Sequence, residues 1–172
     1  MSPISELLSA NERYASAFTK GDLPMPPGRK LAILTCMDAR LHPEKFLGLE
    51  EGDAHVIRNA GGRTSDDALR SLIISHELLG TREFMVIHHE DCGMLTFSND
   101  QLRQKLREDM DADASSIDFL PFGNLDESVR EDVSRIQHSS LIPNDIPVSG
   151  YVYDVRSGRL REIVGAGVAS AR

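Results

Sequence analysis

Short apolar runs alternate with helical segments along most of this chain. Three apolar runs predict buried strands, because a strand covered on both faces lacks an alternating pattern. They are Leu31–Thr35, Ala54–Arg58 and Glu83–His88. Apolar residues at helical spacing predict helices over Asp66–Leu79 and Leu125–Ile136. Strands and helices in this order predict an α/β fold, with a central, largely parallel β-sheet flanked by helices.

The two ends of the chain add an arm and a hairpin to this core. Apolar residues recur at helical spacing from Ile4 to Phe18, and three prolines between positions 21 and 30 then exclude regular structure. Two further strands are predicted around Ser157-Gly158 as a hairpin or near-hairpin. The length fits one domain. We therefore expect a single domain over residues 1–172, with a helical arm at residues 1–22.

Reactive side chains stand at the ends of two predicted strands. Cys36 follows the first strand and is joined by Asp38 and Arg40, while His89 follows the third strand and is joined by Cys92. Because parallel strands place their carboxyl ends at one edge of the sheet, these residues are expected to meet. Two thiolates and an imidazole suit Zn²⁺, and three protein ligands leave a fourth position open, as in catalytic zinc sites.

Each of these residues also has a plainer interpretation. Cys36 and Cys92 could be two buried structural thiols, and Asp38 and Arg40 could be an ordinary surface ion pair. On the catalytic interpretation, Asp38 either accepts a hydrogen bond from zinc-bound hydroxide or coordinates zinc itself, and Arg40 holds it off the metal and ionised. His88 should face away from the zinc, since neighbouring strand residues point to opposite faces.

Composition and charge limit which binding partners and which cellular compartment are expected. A net charge of −8 and a pI near 5.2 argue against nucleic acid or an anionic membrane as partner. No window approaches 18 apolar residues, and the N-terminal segment lacks the pattern of a secretory signal. Two cysteines that both neighbour reactive residues do not form a disulfide framework. We therefore expect a reducing compartment, most simply the cytoplasm.

Three segments together resemble the β-class carbonic anhydrase family, in its short members. They are Cys36–Arg40, Arg58–Gly61 and His89–Gly93. The resemblance implies zinc held by Cys36, His89 and Cys92, with Asp38 and Arg40 as its acid–base and gating pair. It also implies a minimal dimer, or a dimer of dimers, in which the N-terminal helix packs on the partner subunit.

The family implies a zinc enzyme that converts CO₂ and water reversibly to bicarbonate, through attack of metal-bound hydroxide on the central carbon. Residues 59–62 (Asn-Ala-Gly-Gly) form a turn that we call the glycine turn. Its Ala60 and Gly61 are expected to line the substrate. Close relatives in this family hydrolyse carbonyl sulfide or carbon disulfide, so these linear molecules are alternative substrates. A third interpretation is a non-catalytic zinc or thiol-sensing protein, in which zinc would have a fourth protein ligand.

Overall fold

One five-stranded sheet organises the computed structural model, which describes residues 3–167. Its strands are β1 (Leu31–Cys36), β2 (Ala54–Asn59), β3 (Glu83–His89), β4 (Val148–Tyr153) and β5 (Leu160–Gly167). The spatial order is β2-β1-β3-β4-β5. The first four strands are parallel and β5 runs antiparallel to β4. The predicted α/β fold, its largely parallel sheet and its terminal antiparallel pair are confirmed.

Five α-helices accompany the sheet in the described part of the chain. They are α1 (Pro3–Ser16), α2 (Pro43–Leu47), α3 (Asp66–Glu77), α4 (Asn99–Met110) and α5 (Leu125–Gln137). Side-chain caps fix where the later helices begin, since the Ser65, Ser98 and Asn124 oxygens accept hydrogen bonds from backbone N–H groups of the first turns. Within residues 3–167, no helix combines the length and apolar character needed to cross a membrane.

Helix α5 covers the sheet over β4 and supplies much of the main core. Val129, Val133 and Ile136 form its buried stripe, and Asp132 lies on the same stripe. The helix approaches β4 closely because Gly150 has no side chain. A Cβ at that position would lie 2.5 Å from Val129 Cγ1.

The sheet register brings the predicted site together. Cys36 pairs with Asn59 at the end of β2, while Thr35 on β1 pairs with Ile87 on β3, two residues before His89. Cys36 and His89 therefore emerge at one edge of the sheet. The expected convergence of two distant segments is confirmed.

Helix α1 stands apart from this core, as the sequence predicts. It ends at Ser16, so Phe18 lies beyond it, and none of its residues is buried. Tyr14 hydrogen-bonds Glu51, and Lys20 forms an ion pair with Glu51 at 2.8 Å. Residues 1–2 of the predicted arm and residues 168–172 of the predicted domain lie outside the described residues.

Candidate active site

Three buried donors lie together at the carboxyl edge of the sheet. Cys36 is the last residue of β1, His89 is the last residue of β3, and Cys92 follows in the next turn. Their ligand atoms all lie within 4.8 Å of one another. We call these three residues the donor cluster.

The imidazole of His89 is oriented as a metal ligand would be. Its Nδ1 lies 2.8 Å from the Glu90 carbonyl, which can only accept, so the hydrogen is on Nδ1 and the Nε2 lone pair is free. Nε2 is buried and has no hydrogen-bond partner among residues 3–167. A buried nitrogen lone pair without a donor carries an energetic cost that a cation would remove.

The two thiols share charge unequally. The hydrogen bond with Cys92 lowers the pKa of Cys36 to about 4, and the backbone N–H of Gly61 donates to Cys36 Sγ at 3.3 Å. The hydrogen bond with Cys36 conversely raises the pKa of Cys92. Burial opposes protonation of His89, but the neighbouring Cys36 thiolate raises its pKa overall. A divalent cation that displaced the thiol protons would fit the two thiolates and the imidazole.

Asp38 and Arg40 form a two-pronged ion pair at the rim of the donor cluster. Arg40 Nε and Nη2 donate to the two oxygens of Asp38 at 3.0 and 2.8 Å, and the Arg40 backbone N–H adds a third bond at 2.9 Å. These hydrogen bonds lower the pKa of Asp38 well below its usual range. Asp38 Oδ2 lies 3.7 Å from His89 Nε2. The predicted pair is therefore formed, with its carboxylate facing the donor cluster.

Arg58 braces the segment that carries this pair, a contact that sequence reasoning missed. Its Nε donates to the Cys36 carbonyl at 3.0 Å and its Nη2 donates to the Asp38 carbonyl at 2.7 Å. In the sequence, Arg58 stands out only as part of the glycine-turn motif. One guanidinium on β2 thereby fixes the backbone around both a donor and the carboxylate.

The glycine turn packs directly behind Cys36. Gly61 and Gly62 both have positive φ, at 82° and 68°. A Cβ on Gly62 would lie 3.0 Å from the backbone nitrogen of Cys36, so only glycine fits there without displacing β1. Gly61 contacts the donor cluster through its N–H, whereas Ala60 is exposed. Their predicted place at the substrate stays a prediction.

His88 faces away from the donor cluster, as strand alternation predicts. Its Nδ1 lies 2.8 Å from Ser128 Oγ and its Nε2 lies 3.2 Å from the Gly62 carbonyl. Both nitrogens are thus engaged within the protein. No sequence pattern indicated Ser128 as a partner, because it lies on α5, 40 residues away.

Apolar side chains wall the donor cluster. Leu41, Met94 and Phe122 are buried against the two cysteines. Phe122 comes from the segment between α4 and α5. This wall surrounds the two thiols with apolar side chains.

Comparisons with known proteins agree with this fold and site. The family model described as carbonic anhydrase matches residues 31–118. Beta-carbonic anhydrase 1 of Mycobacterium tuberculosis is 43% identical over 164 residues, which cover 95% of this chain and 99% of the relative. Carbon disulfide hydrolase of an Acidianus species is 35% identical over 182 residues, covering 92% and 88%.

A solved structure extends the agreement to the whole fold. The crystal structure of a carbonic anhydrase from Streptococcus mutans superposes with a TM-score of 0.91 at 49% identity, covering 95% of this chain and 98% of the other. Such relatives support hydration of CO₂ or a related hydrolysis as the chemistry of this scaffold. On these grounds the chain belongs to the β-carbonic anhydrase family of enzymes.

Proposed function

We propose that this protein is a zinc enzyme that catalyses the reversible hydration of CO₂ to bicarbonate. The observation that carries the proposal is the donor cluster, in which the unpartnered His89 Nε2 faces two thiols. The paired Asp38 carboxylate beside it supports catalysis over a purely structural metal, since a structural zinc site needs no gated acid.

Cys36 Sγ, His89 Nε2 and Cys92 Sγ would hold the ion, with a fourth position left for water. When bound, zinc supplies Lewis acidity, which lowers the pKa of a water in that position toward about 7. Two thiolates offset the charge of the ion, and the N–H of Gly61 withdraws part of the charge from Cys36. That hydrogen bond therefore favours the acidity that the reaction needs.

Asp38 orients the attacking water. Its carboxylate accepts a hydrogen from the water and leaves a lone pair directed at the carbon of CO₂. Arg40 keeps the carboxylate ionised and holds both of its oxygens, so that Asp38 does not take the open position itself. Arg58 fixes the backbone that joins Cys36 to Asp38, which holds the carboxylate in place beside the donor cluster. Ala60 and Gly61 would line the substrate.

A second candidate function is hydrolysis of a sulfur analogue, carbon disulfide or carbonyl sulfide. The relative from the Acidianus species, named for carbon disulfide hydrolysis, favours it. These molecules are linear and apolar like CO₂, and the same residues could direct water at their central carbon. A non-catalytic zinc or thiol-sensing protein is the weakest alternative, because the Asp38–Arg40 pair would then have no task.

We further propose a homodimer, or a dimer of dimers, in the cytoplasm. Leu7 and Leu8 on α1 are 67% and 62% exposed, and α1 buries no residue against its own chain. An apolar helix face of this kind is stabilised when a partner subunit covers it. The arm at residues 1–22 would supply that contact.

The test is a substrate comparison on one zinc-loaded sample. Stopped-flow hydration of CO₂ is measured beside sulfide release from carbonyl sulfide and from carbon disulfide. We expect fast hydration and little sulfide, whereas fast sulfide release with feeble hydration would assign the second function. Cys36→Ser is the control and should lose zinc and turnover together. Full zinc and full turnover in Cys36→Ser would overturn the metal assignment.

A further inference from the structure

A buried polar network lies behind the glycine turn, on the opposite side from the donor cluster. Its members are His88 on β3, Arg63 and Thr64 after the turn, and Ser128 and Asp132 on α5. We call these five residues the support network. His88 is 0% exposed and Asp132 is 3% exposed. Buried polar side chains of this kind are costly unless each meets a partner.

Asp132 is the centre of the support network. Its Oδ1 accepts the backbone N–H of Thr64 at 2.9 Å, and its backbone carbonyl accepts the Thr64 hydroxyl at 3.3 Å. Its Oδ2 lies at ion-pair distance, 3.1 Å, from both Arg63 Nε and His88 Nε2, without the geometry of a hydrogen bond among the described residues. One carboxylate on α5 therefore joins the chain segment after the glycine turn to the strand that carries His89.

The contacts continue from Asp132 to a metal donor. His88 Nε2 faces two acceptors, the Gly62 carbonyl and Asp132, so it carries the hydrogen and donates. Gly62 follows Gly61, whose N–H donates to Cys36 Sγ. Asp132 thus reaches Cys36 through His88 and two glycines.

Packing leaves the glycine turn little freedom to adjust. Phe122 stacks on His88 with ring centroids 5.4 Å apart, and the Arg63 guanidinium lies 5.4 Å from the same ring. Phe122 and Met94 also pack on Gly61, where an added Cβ would lie 3.3 and 2.9 Å from them. A displacement of the support network is therefore transmitted to the Gly61 N–H rather than absorbed.

We propose that Asp132 is a positioning residue for the metal centre: it holds His88 and residues 62–64 so that the Gly61 N–H is directed at the Cys36 sulfur. The inference rests on the proposed zinc site and adds to it a residue that tunes the donor strength of Cys36. Hydrogen bonds to a metal-binding sulfur reduce the charge it gives to the ion, and residues that orient ligands commonly change metal affinity 10- to 100-fold.

Asp132→Asn tests this role with almost no change in size. An Asn that keeps its oxygen on the Thr64 N–H must turn its NH₂ toward Arg63 and His88, which are both donors. The matched control is Glu131→Gln. Glu131 also pairs with Arg63, at 3.1 Å, but it is exposed and its side chain does not reach His88 or Thr64 in the described contacts.

Two readouts on the full-length protein separate positioning from folding. Zinc release is timed with excess chromophoric chelator, and the thiolate-to-metal charge-transfer band is recorded after substitution with Co²⁺. We expect Asp132→Asn to release zinc about tenfold or more faster, with a shifted band and native far-ultraviolet circular dichroism. Glu131→Gln should match the wild type. A folded Asp132→Asn that matches Glu131→Gln in both readouts would overturn the proposal.

Ser128→Ala serves if Asp132→Asn does not fold, because it removes only the hydroxyl beside His88 Nδ1. Faster zinc release than in Glu131→Gln would support the proposal, and equal release would overturn it. Zinc binding by the wild type distinguishes a failure of the proposed function from a failure of the inference about Asp132. A wild-type chain that binds no zinc overturns the proposed function together with this inference, whereas normal zinc binding with unresponsive variants overturns the inference alone.

Discussion

His88 and His89 are adjacent on β3 and equally buried, yet their surroundings differ completely. Both side chains are 0% exposed. Both nitrogens of His88 meet protein groups, at Ser128 and Gly62, within the support network. Only Nδ1 of His89 does so, and its Nε2 points without a partner into the donor cluster.

For two equally buried histidines, the unpartnered Nε2, and not burial or residue type, distinguishes the candidate ligand. A histidine with both nitrogens satisfied stabilises the fold. A histidine with one nitrogen fixed by a backbone acceptor and the other left open is preorganised for a metal. Alternation along the strand separates the two roles, since consecutive side chains face opposite sides of the sheet.

Substituting each histidine in turn tests the contrast with the largest expected effect. His89→Gln should bind less than about a tenth of the zinc of the wild type and lose measurable turnover, because an amide cannot replace the imidazole lone pair. His88→Gln should still bind one zinc per chain but lower the free energy of unfolding by about 1–3 kcal/mol through lost buried hydrogen bonds. Metal analysis and denaturant titration measure both. Equal zinc loss in the two variants would remove the distinction.

A second substitution tests the catalytic role of the Asp38 carboxylate beside the donor cluster. Asp38→Asn should keep its zinc, because it alters no residue of the donor cluster, yet lower kcat by about 10²–10⁴-fold through loss of the charged acceptor. Asp126→Asn is the matched control, since Asp126 forms a similar two-pronged pair with Arg161 away from the site. Unchanged kinetics in Asp38→Asn would remove Asp38 from the mechanism.

Substitution of the glycine that packs behind Cys36 should have a smaller effect, which is on stability. Gly62→Ala should destabilise the fold by more than Gly48→Ala, although both place alanine at positive φ. A Cβ at Gly62 would meet backbone atoms at 3.0 Å, whereas a Cβ at Gly48 would have no neighbour within 4 Å in the described chain. A left-handed backbone conformation at alanine alone costs about 1–2 kcal/mol. Any destabilisation by Gly62→Ala beyond that of Gly48→Ala therefore measures how tightly the turn packs against β1. Equal denaturation midpoints would show that the turn can move away from β1.

The smallest effect expected is a shift in the pH dependence of turnover when Arg40 is substituted. Arg40 lowers the pKa of Asp38, so Arg40→Gln should raise that pKa toward the ordinary aspartate value of about 3.9 or above. Only the ionised Asp38 offers a charged acceptor to the attacking water. Activity is therefore lost on acidification at a higher pH in the variant than in the wild type. The two profiles should converge at alkaline pH. Superimposable acid limbs would show that Arg40 does not set the charge of Asp38.

The sequence pattern sufficed for the fold class and for the donor cluster because both follow from local rules. Apolar runs alternating with helical segments require a largely parallel sheet, and such a sheet gathers Cys36 and His89 at one edge. The strand order β2-β1-β3-β4-β5 was beyond these rules, since each run is compatible with several neighbours.

The support network could not be predicted, because it depends on where α5 lies over the sheet. Asp132 did leave a signal, since it shares a helical stripe with Val129, Val133 and Ile136 at spacings of three, one and four residues. A carboxylate on an apolar stripe requires a buried partner. Its partners, Arg63, Thr64 and His88, are distant in the sequence, and only the structure identifies them.

X-ray absorption at the zinc edge of the purified, zinc-loaded protein identifies the ligands of the metal. We predict two sulfur atoms at about 2.3 Å from the zinc ion, one nitrogen at about 2.0–2.1 Å and one further light atom at about 2.0–2.2 Å. A shell with one sulfur or none would contradict the assignment of Cys36, His89 and Cys92 as the metal ligands.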